Sequence, residues 1–335
     1  MTSTLKPILV SGVQPTQQLT LGNYLGALSN WKRLQEQYTC FFFIADLHAL
    51  TVPQPPHALH ESTLNTLATF LASGIDPEKC TFFVQSHVPA HAQLAWILTC
   101  LTNMGELNRM TQFKDKSQKS KSIGVGLFSY PTLMAADVLL YQADLVPVGH
   151  DQKQHLELTR DLAERMNQQL GAALVKVPKP FIAPVGAKIR DLQNPELKMS
   201  KSSANPLGTL FLSDPPDLTE KKIKRAVTDT LTEIQFDPEN RPGISNLLEI
   251  QAALLGCSPE SLVGNYTHKL YGELKKDTAA AVQSTLAPIQ KKREAYLRDP
   301  TTLMNLLRHG RETAQHVAQG TLERIFAALG LVPPA

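Results

Sequence analysis

Two lysines three residues apart, in Lys198-Met199-Ser200-Lys201-Ser202, are well suited to chemistry on phosphates. Their ammonium groups can neutralise the charge that develops on the phosphates of a bound nucleotide. An ordinary solvated loop also carries such lysine pairs. The elements around the five-residue string therefore decide between the two interpretations.

Two further segments place glycine and polar residues directly after predicted strands. Gln14 and Pro15 follow the first strand and lead to Gly22 and Asn23, while Gly149-His150-Asp151 follows a later strand. Ligands of open parallel sheets bind beyond the carboxyl ends of the strands, where glycine admits close backbone approach and asparagine donates hydrogen bonds. Simple turns and helix N-caps have the same composition, so both interpretations stay open here.

Short apolar runs alternate with helical patterns in the first part of the chain. This alternation predicts an α/β fold: a Rossmann-like, doubly wound parallel sheet with a second, all-helical domain. The predicted strands are Pro7–Val13, Phe41–Ala45, Thr81–Ser86, Leu145–Gly149 and Phe181–Ile189, and the helices between them cover Leu25–Leu34, Ala58–Ala72 and Leu156–Met166.

Strand patterns stop after about residue 194, which predicts a domain boundary at that point. Helical patterns follow over Thr219–Gly256, Ser258–Leu297 and Leu303–Leu329. We expect a catalytic domain over residues 1–194 and a helical domain over residues 195–299, with residues 198–202 at their junction. The last helix, about 300–335, is expected to pack back on the first domain.

Composition limits the class of protein. With 335 residues, of which 42% are hydrophobic and 19% charged, the chain is unlike disordered proteins and can form a packed core. The net charge of +3 is too small to identify a nucleic-acid-binding protein. The cysteines stand far apart without a CxxC pair, so no zinc or disulfide framework and no metal site is predicted. The segment Met1–Pro7 is short and polar and no stretch approaches the ~20 apolar residues of a membrane span, which predicts a cytoplasmic protein.

The string at 198–202 is KMSKS, the signature loop of class I aminoacyl-tRNA synthetases. Thr20-Leu21-Gly22-Asn23 resembles their HIGH motif in the divergent form that tryptophanyl-tRNA synthetases carry. The chain resembles that family over nearly its whole length, at Ala45–Ala49, Thr111–Lys114, Tyr130–Pro131, Met134–Asp137, Val146–Gly149 and Asp151–His155.

This resemblance implies an activity, its substrates and its partners. Members of the family are tryptophan–tRNA ligases of translation, which activate L-tryptophan with ATP, release pyrophosphate and transfer tryptophan from the adenylate to the 3′ end of tRNA(Trp). Mg²⁺ is expected with ATP and without dedicated protein ligands, and two copies are expected to form a homodimer. The helical domain is expected to bind the tRNA anticodon region, and some of its basic clusters are expected to contact tRNA phosphates there, although any one cluster is also typical of a solvated helix face. They comprise Lys221, Lys222, Lys224, Arg225, Lys275, Lys276, Lys291, Lys292 and Arg293.

The resemblance also implies site residues, position by position. Lys198, Lys201 and Asn23 take the catalytic roles of positioning the phosphates and neutralising their charge. Asp137 receives the indole N–H, a donor that suits an acceptor-only carboxylate, whereas a phenylalanine ring would leave that carboxylate unpaired. The implied ATP-binding residues are Gln14, Pro15, Thr16, Gly22, Asn23, Lys116, Gly149, His150, Asp151, Ile189, Lys198, Met199, Ser200, Lys201 and Ser202. The implied tryptophan-binding residues are His48, Tyr130, Met134, Asp137, Val146, Val148 and Gln152.

Two positions depart from the family's pattern, and three other classes compete with it. Val10 stands where some relatives carry phenylalanine beneath the indole, and Thr16-Gln17-Gln18 replaces a small Ser-Gly pair. Tyrosyl-tRNA synthetases have a similar fold and loop, but they fit Met134–Asp137 and Asp151–His155 less well. An inactive relative would be expected to lack glycines or lysines that are present here. A dehydrogenase would need a GxGxxG motif after the first strand, and this sequence has none there.

Overall fold

The computed structural model describes residues 6–15, 18–55, 57–117, 123–149, 152–181, 189–201, 203 and 205–332, without the side chains of Ala27, Asp115 and Lys116. Within these residues five strands form one parallel sheet in the order β3-β2-β1-β4-β5. The strand order therefore reverses between β1 and β4, because β2 and β3 lie on one side of β1, and β4 and β5 lie on the other. The strands are β1 Ile8–Val13, β2 Thr39–Ile44, β3 Cys80–Val84, β4 Leu145–Pro147 and β5 Lys179–Phe181.

Helices connect the strands and make up most of the chain beyond them. A π-helical segment, Tyr24–Leu28, joins the first two helices, and 3-10 turns cover Gln85–His87 and Gly264–Tyr266. The α-helices are α1 Leu21–Asn23, α2 Ser29–Gln37, α3 Asp46–Ala49, α4 Ala58–Ala72, α5 Ala90–Leu101, α6 Met104–Asn108, α7 Thr111–Ser117, α8 Val125–Leu139, α9 Lys153–Gln169, α10 Pro216–Lys224, α11 Pro242–Leu255, α12 Pro259–Val263, α13 Tyr271–Arg298 and α14 Pro300–Leu329. None of the helices in the described ranges is both long and apolar enough to cross a bilayer.

Alternate side chains of the strands enter two hydrophobic clusters on opposite faces of the sheet, because strand side chains alternate in direction. Leu9 and Phe42 belong to one cluster, and Val10, Phe43 and Phe83 belong to the other. A strand buried on both faces has apolar residues at consecutive positions, which is why these strands are recognisable in the sequence. The predicted Rossmann-like α/β fold with a helical C-terminal region is confirmed.

Several predicted boundaries are wrong. The third strand ends at Val84, since Gln85 starts a 3-10 turn and its Oε1 accepts a hydrogen bond from Leu47 N at 3.2 Å. The fourth ends at Pro147 rather than at residue 149. The last strand ends at Phe181, where the prediction began it, and residues 182–188 lie outside the described residues.

The helical stretch predicted over 219–256 is interrupted between α10 and α11. Asp237 forms a turn there: its Oδ1 accepts from the backbone N–H groups of Glu239 at 3.2 Å and Asn240 at 3.1 Å. The stretch predicted over 258–297 is likewise divided into α12 and α13. Local side-chain hydrogen bonds of this kind compete with the helix.

Helices α10 to α13 pack against the cluster on one face of the sheet. Leu247 and Val282 share that cluster with Phe42. At the contact between α13 and α4, Arg293 Nε donates to Asn65 Oδ1 at 2.8 Å. Since one cluster spans the sheet and these helices, the division at residue 194 stays a prediction.

The last helix, α14, crosses the edge of the sheet at β3. Leu303 and Leu307 enter one cluster, whereas Ala314 enters the other. At the crossing, a Cβ on Gly310 would stand 1.8 Å from the carbonyl oxygen of Phe82. Only glycine therefore allows the helix to lie this close to the edge strand.

Candidate active site

A cavity of about 750 Å³ opens at the carboxyl ends of β1 and β4, where the strand order changes direction. This is the position at which open parallel sheets bind their ligands. Every residue that the sequence implied for tryptophan binding lines it: His48, Tyr130, Met134, Asp137, Val146, Val148 and Gln152. Gln14, from the implied ATP-binding set, lines it as well.

One wall of the cavity depends on a glycine that was not among the predicted site residues. A Cβ on Gly12 would lie 2.4 Å from Phe43 Cζ, so glycine lets the Phe43 ring rest against β1. Val10 lines the same cavity and is 1% exposed. Phe43 thus supplies an aromatic ring to the wall of the cavity, to which Val10 contributes only an aliphatic side chain. A uniformly apolar strand gives no sign of which of its members face a cavity.

Asp137 accepts hydrogen bonds on both carboxylate oxygens. Oδ2 lies 2.7 Å from His48 Nε2, and Oδ1 lies 2.7 Å from Gln85 Nε2 and 2.6 Å from His91 Nδ1. Burial alone would raise the pKa of Asp137, but His48 and His91 outweigh it and hold that pKa below its ordinary range. The side chain is therefore an ionised acceptor at the bottom of the cavity.

The partners of Asp137 continue into the interior. His91 Nε2 lies 2.7 Å from the hydroxyl of Tyr141, and burial raises the pKa of Tyr141 well above its ordinary value. Gln85, His91 and Tyr141 are 0% exposed. None of these three residues was predicted from the sequence, because buried polar residues carry no local signal of their partners.

Tyr130 is fixed by partners on two other helices. Its hydroxyl lies 2.6 Å from His155 Nε2 and donates to Gln112 Oε1 at 3.2 Å. Gln112, on α7, also lines the cavity and was not among the implied site residues. Gln152 stands at the start of α9, where its backbone N–H donates to Gly149 O at 3.0 Å.

A second cluster forms where α1 begins. The backbone N–H of Asn23 donates to Thr20 Oγ1 at 3.1 Å, and the backbone N–H of Thr20 donates to Asn23 Oδ1 at 3.1 Å. This reciprocal cap directs the amide oxygen of Asn23 toward Thr20. The NH₂ group of the exposed Asn23 side chain can then serve as a donor to a ligand.

The KMSKS loop lies directly against this cap. A Cβ on Gly22 would lie 3.7 Å from Ile189 and 3.9 Å from Met199, and Met199 N donates to Ile189 O at 3.1 Å. Met199 is buried, whereas Lys198 and Lys201 are exposed. Neighbouring atoms partly desolvate the Lys201 ammonium and lower its pKa. The two motifs therefore meet, with the lysines presented outward.

Asp191 anchors the loop from below, and it was not predicted. Its Oδ1 accepts from the backbone N–H groups of Gln193 at 2.8 Å and Asn194 at 3.0 Å, and its Oδ2 accepts from Ser203 Oγ at 2.5 Å. A Cβ on Gly208 would lie 2.2 Å from Asp191 Oδ1. Glycine at 208 is thus a condition for this anchor.

The structure describes only some of the remaining residues implied for ATP binding. Pro15 follows Gln14 at the end of β1, and the carbonyl of Ser200 accepts from Thr209 Oγ1 at 2.6 Å. Thr16, His150, Asp151 and Ser202 and the side chain of Lys116 lie outside the described residues.

Four members of the basic clusters are engaged within the protein, among them Lys224, which pairs with Glu220 at 2.5 Å. Lys222 is buried and pairs with Asp214 at 2.6 Å. Lys275 Nζ donates to the carbonyl of Ala226 at 2.8 Å, and Arg293 is bonded to Asn65. Exposed members include Lys221, Arg225, Lys276, Lys291 and Lys292.

Comparisons with known proteins give consistent results. A family model described as tRNA synthetases class I (W and Y) matches residues 2–287. The chain is 50% identical to the tryptophan–tRNA ligase of Clostridium perfringens over 98% of both chains. It is 53% identical to the tryptophan–tRNA ligase of Corynebacterium glutamicum over 97% of this chain and 94% of that one.

Solved structures agree with the sequence relatives. Tryptophanyl-tRNA synthetase from Mycoplasma pneumoniae is 38% identical with a TM-score of 0.89, covering 98% of this chain and 99% of that one. The Campylobacter jejuni enzyme complexed with ADP and tryptophan is 34% identical with a TM-score of 0.84, covering 97% and 100%. A tyrosyl-tRNA synthetase from Archaeoglobus fulgidus, at 20% identity and a TM-score of 0.67, shares the fold.

Proposed function

Since this chain belongs to the tryptophanyl-tRNA synthetases and is a tryptophan–tRNA ligase, we propose that the cavity at β1 and β4 binds tryptophan and that the cluster of Gly22 and the KMSKS loop binds ATP. The single observation that carries the first assignment is an ionised, buried Asp137 in a cavity with apolar walls. Indole has one polar group, an N–H donor, which an acceptor-only carboxylate matches. Met134, Val146 and Val148 contact the rest of the ring.

Activation requires that the protein position the two substrates and neutralise the charge on the phosphates, and it requires no protein nucleophile. A carboxylate oxygen of tryptophan attacks the α-phosphorus of ATP, and the bond to the bridging oxygen breaks as pyrophosphate leaves with the electron pair. The backbone at Gly22 and the amide of Asn23 hold the phosphates, and Lys198 and Lys201 stabilise the departing charge. Mg²⁺ arrives as part of the MgATP substrate, since it prefers phosphate and water oxygens.

Transfer completes the reaction on the same face of the sheet. A terminal ribose hydroxyl of tRNA(Trp) attacks the carbonyl carbon of the adenylate, and AMP leaves. The exposed lysines and arginine of the helical region, over residues 195–299, contact phosphates of the tRNA body near the anticodon. The reaction takes place in the cytoplasm, where translation occurs.

Pyrophosphate exchange into ATP tests the assignment of substrate. The assay is run with each of the twenty amino acids, and tryptophan alone should support rapid exchange. Comparable exchange with tyrosine would refute the proposed cavity as a site that selects for indole. Exchange that survives in Lys198→Ala at the parent rate would refute the assignment of ATP to the KMSKS loop.

We also propose that two copies pair through exposed apolar side chains of α5, α6 and α8. Trp96 is 69% exposed, Met104 67% and Val125 78%, on three helices of which α8 contacts the other two, and a group of exposed apolar side chains marks a protein–protein contact surface. Helices α5 and α8 are joined at Thr99 Oγ1 and Thr132 Oγ1, 2.7 Å apart. Sedimentation should give twice the chain mass of 36.9 kDa, and Trp96→Lys should shift it toward the monomer. A monomeric parent protein would refute the pairing.

A further inference from the structure

Behind Asp137, hydrogen bonds run away from the cavity into the interior. Asp137 and His48 line the cavity, whereas Gln85, His91 and Tyr141 are fully buried. His91, on α5, lies 2.6 Å from Asp137 Oδ1 through Nδ1 and 2.7 Å from the Tyr141 hydroxyl through Nε2. The chain of hydrogen bonds thus connects the ligand-facing helix α8 to a helix that does not face the ligand.

The chemistry of the partners fixes where the protons lie. An ionised Asp137 only accepts, so His91 Nδ1 carries a proton and donates it. Because burial raises the pKa of Tyr141, its hydroxyl keeps its proton and can donate to His91 Nε2. Both ring nitrogens of the buried His91 are thus hydrogen-bonded, one to Asp137 and the other to Tyr141.

The two oxygens of Asp137 are unequally occupied. Oδ1 receives two donors, Gln85 Nε2 and His91 Nδ1, whereas the hydrogen bond from His48 goes to Oδ2. A carboxylate oxygen accepts about two hydrogen bonds in the carboxylate plane. Oδ1 is therefore filled, and Oδ2, which is bonded to the cavity-lining His48, keeps capacity for a further donor.

We propose that His91 and Tyr141 are positioning residues of the amino-acid site, which fix Asp137 so that Oδ2 accepts the indole N–H. This inference rests on the proposed role of Asp137 and deepens it. Without His91, Oδ1 has a free lone pair, and the carboxylate can turn in its plane away from the indole. Selectivity for a substrate with an N–H donor then depends on two residues that never touch it.

The test compares tryptophan with 3-benzothienylalanine, in which sulfur replaces the indole N–H. Pyrophosphate exchange gives kcat/KM for both substrates in His91→Leu, His91→Asn and Tyr141→Phe. His91→Leu should lower the preference for tryptophan about tenfold, consistent with weakening a charge-assisted hydrogen bond. The loss should appear in KM for tryptophan, with kcat and the KM for ATP unchanged, because the indole lies away from the reacting phosphate.

Conservative variants separate positioning from simple support of the fold. The amide nitrogen of His91→Asn can occupy the place of Nδ1, so this variant should recover most of the preference. Tyr141→Phe should lower it about threefold, since it removes one oxygen and leaves His91 less firmly held. Thr132→Val is the matched control: it removes the other hydrogen bond between α5 and α8 and should leave the preference unchanged.

Asp137→Asn is measured in parallel. If it lowers the preference while His91→Leu and Tyr141→Phe keep it within twofold of the parent, the inference is overturned and the proposed site stands. If Asp137→Asn also leaves the preference unchanged, the proposed role of Asp137 itself fails. Equal losses for both substrates in His91→Leu would show a structural role only and overturn the inference. Should His91→Leu fail to fold, Tyr141→Phe decides by the same criterion.

Discussion

Replacing Asp137 by asparagine forces an amide into a site built around a carboxylate. With its NH₂ at the place of Oδ1, the amide would oppose two donors, from Gln85 and His91. At the place of Oδ2 it meets only His48, whose imidazole can present either an N–H or a lone pair. We therefore expect the NH₂ group at the place of Oδ2, directed toward the cavity.

This orientation sets an amide donor against the indole N–H. Tryptophan then loses a charge-assisted hydrogen bond, which contributes about 1.5 to 3 kcal/mol. At ~1.4 kcal/mol per factor of ten, kcat/KM for tryptophan should fall about 10- to 150-fold. Phenylalanine never makes this bond, so its kcat/KM should fall much less. The ratio of kcat/KM for tryptophan to kcat/KM for phenylalanine should therefore fall by nearly the same factor as kcat/KM for tryptophan.

Pyrophosphate exchange at saturating ATP measures both substrates in parent and variant, and thermal unfolding checks that each is folded. An unchanged ratio, with both rates lowered together, would refute the reasoning. Asp137 would then support the fold only, and another group would have to accept the indole N–H.

Three further substitutions test other parts of the site and the fold. Lys201→Ala should slow activation about 100- to 1000-fold, the effect of losing ~2.7 to 4 kcal/mol of charge stabilisation, while tryptophan binding measured by titration stays nearly unchanged. Gly208→Ala should raise the KM for ATP in the exchange assay, because its Cβ would displace the Asp191 carboxylate that anchors the KMSKS loop. The hydrogen bond from Arg241 lowers the pKa of Asp229 from 3.8 to about 2, so this carboxylate stabilises the fold above its ordinary pKa and stops doing so as pH falls through about 2. Asp229→Asn should accordingly lower the melting temperature at pH 7, and the difference from the parent should narrow in scans below about pH 4.

Each of these predictions has a control or a contrary outcome. An exchange rate for Lys201→Ala within threefold of the parent would contradict its role, and Lys221→Ala should have no effect on exchange. Gly272→Ala adds the same methyl group where no heavy atom lies within 4 Å of the new Cβ, so its KM for ATP should equal the parent's. A melting difference for Asp229→Asn that is the same at pH 7 and pH 3 would show that the charge of Asp229 is irrelevant.

The first three strands could be predicted because each is a short apolar run buried on both faces. The interruption of the helical stretch was also predictable, because Pro238 stands in the break between α10 and α11 and Pro242 is the first residue of α11. The π-helical segment Tyr24–Leu28 was not predictable, because Leu25 and Leu28 stay buried and the apolar spacing hides it. Periodicity reports which side chains face the core, not the detailed path of the backbone.

The motifs led to the family and the activity, and identities of about 50% over nearly the whole chain confirm both. The individual roles of the site residues stay predictions, although those implied for tryptophan share one cavity. The partners of Asp137 could not be predicted, since Gln85 and His91 lie 52 and 46 residues away in sequence. They meet Asp137 only after β3, α5 and α8 have packed together.

The crossing of α14 over the sheet edge affects how the protein must be made. An uncovered edge strand offers unpaired backbone groups to any other chain and is a site of aggregation. A ribosome completes all five strands before it reaches α14, so the edge at Phe82 is exposed throughout the later part of translation. Gly310 then lets the helix close that edge. A larger residue at position 310 would keep α14 away from β3, so the folded protein would retain an exposed edge strand. We expect such a variant to lose solubility before it loses catalytic activity.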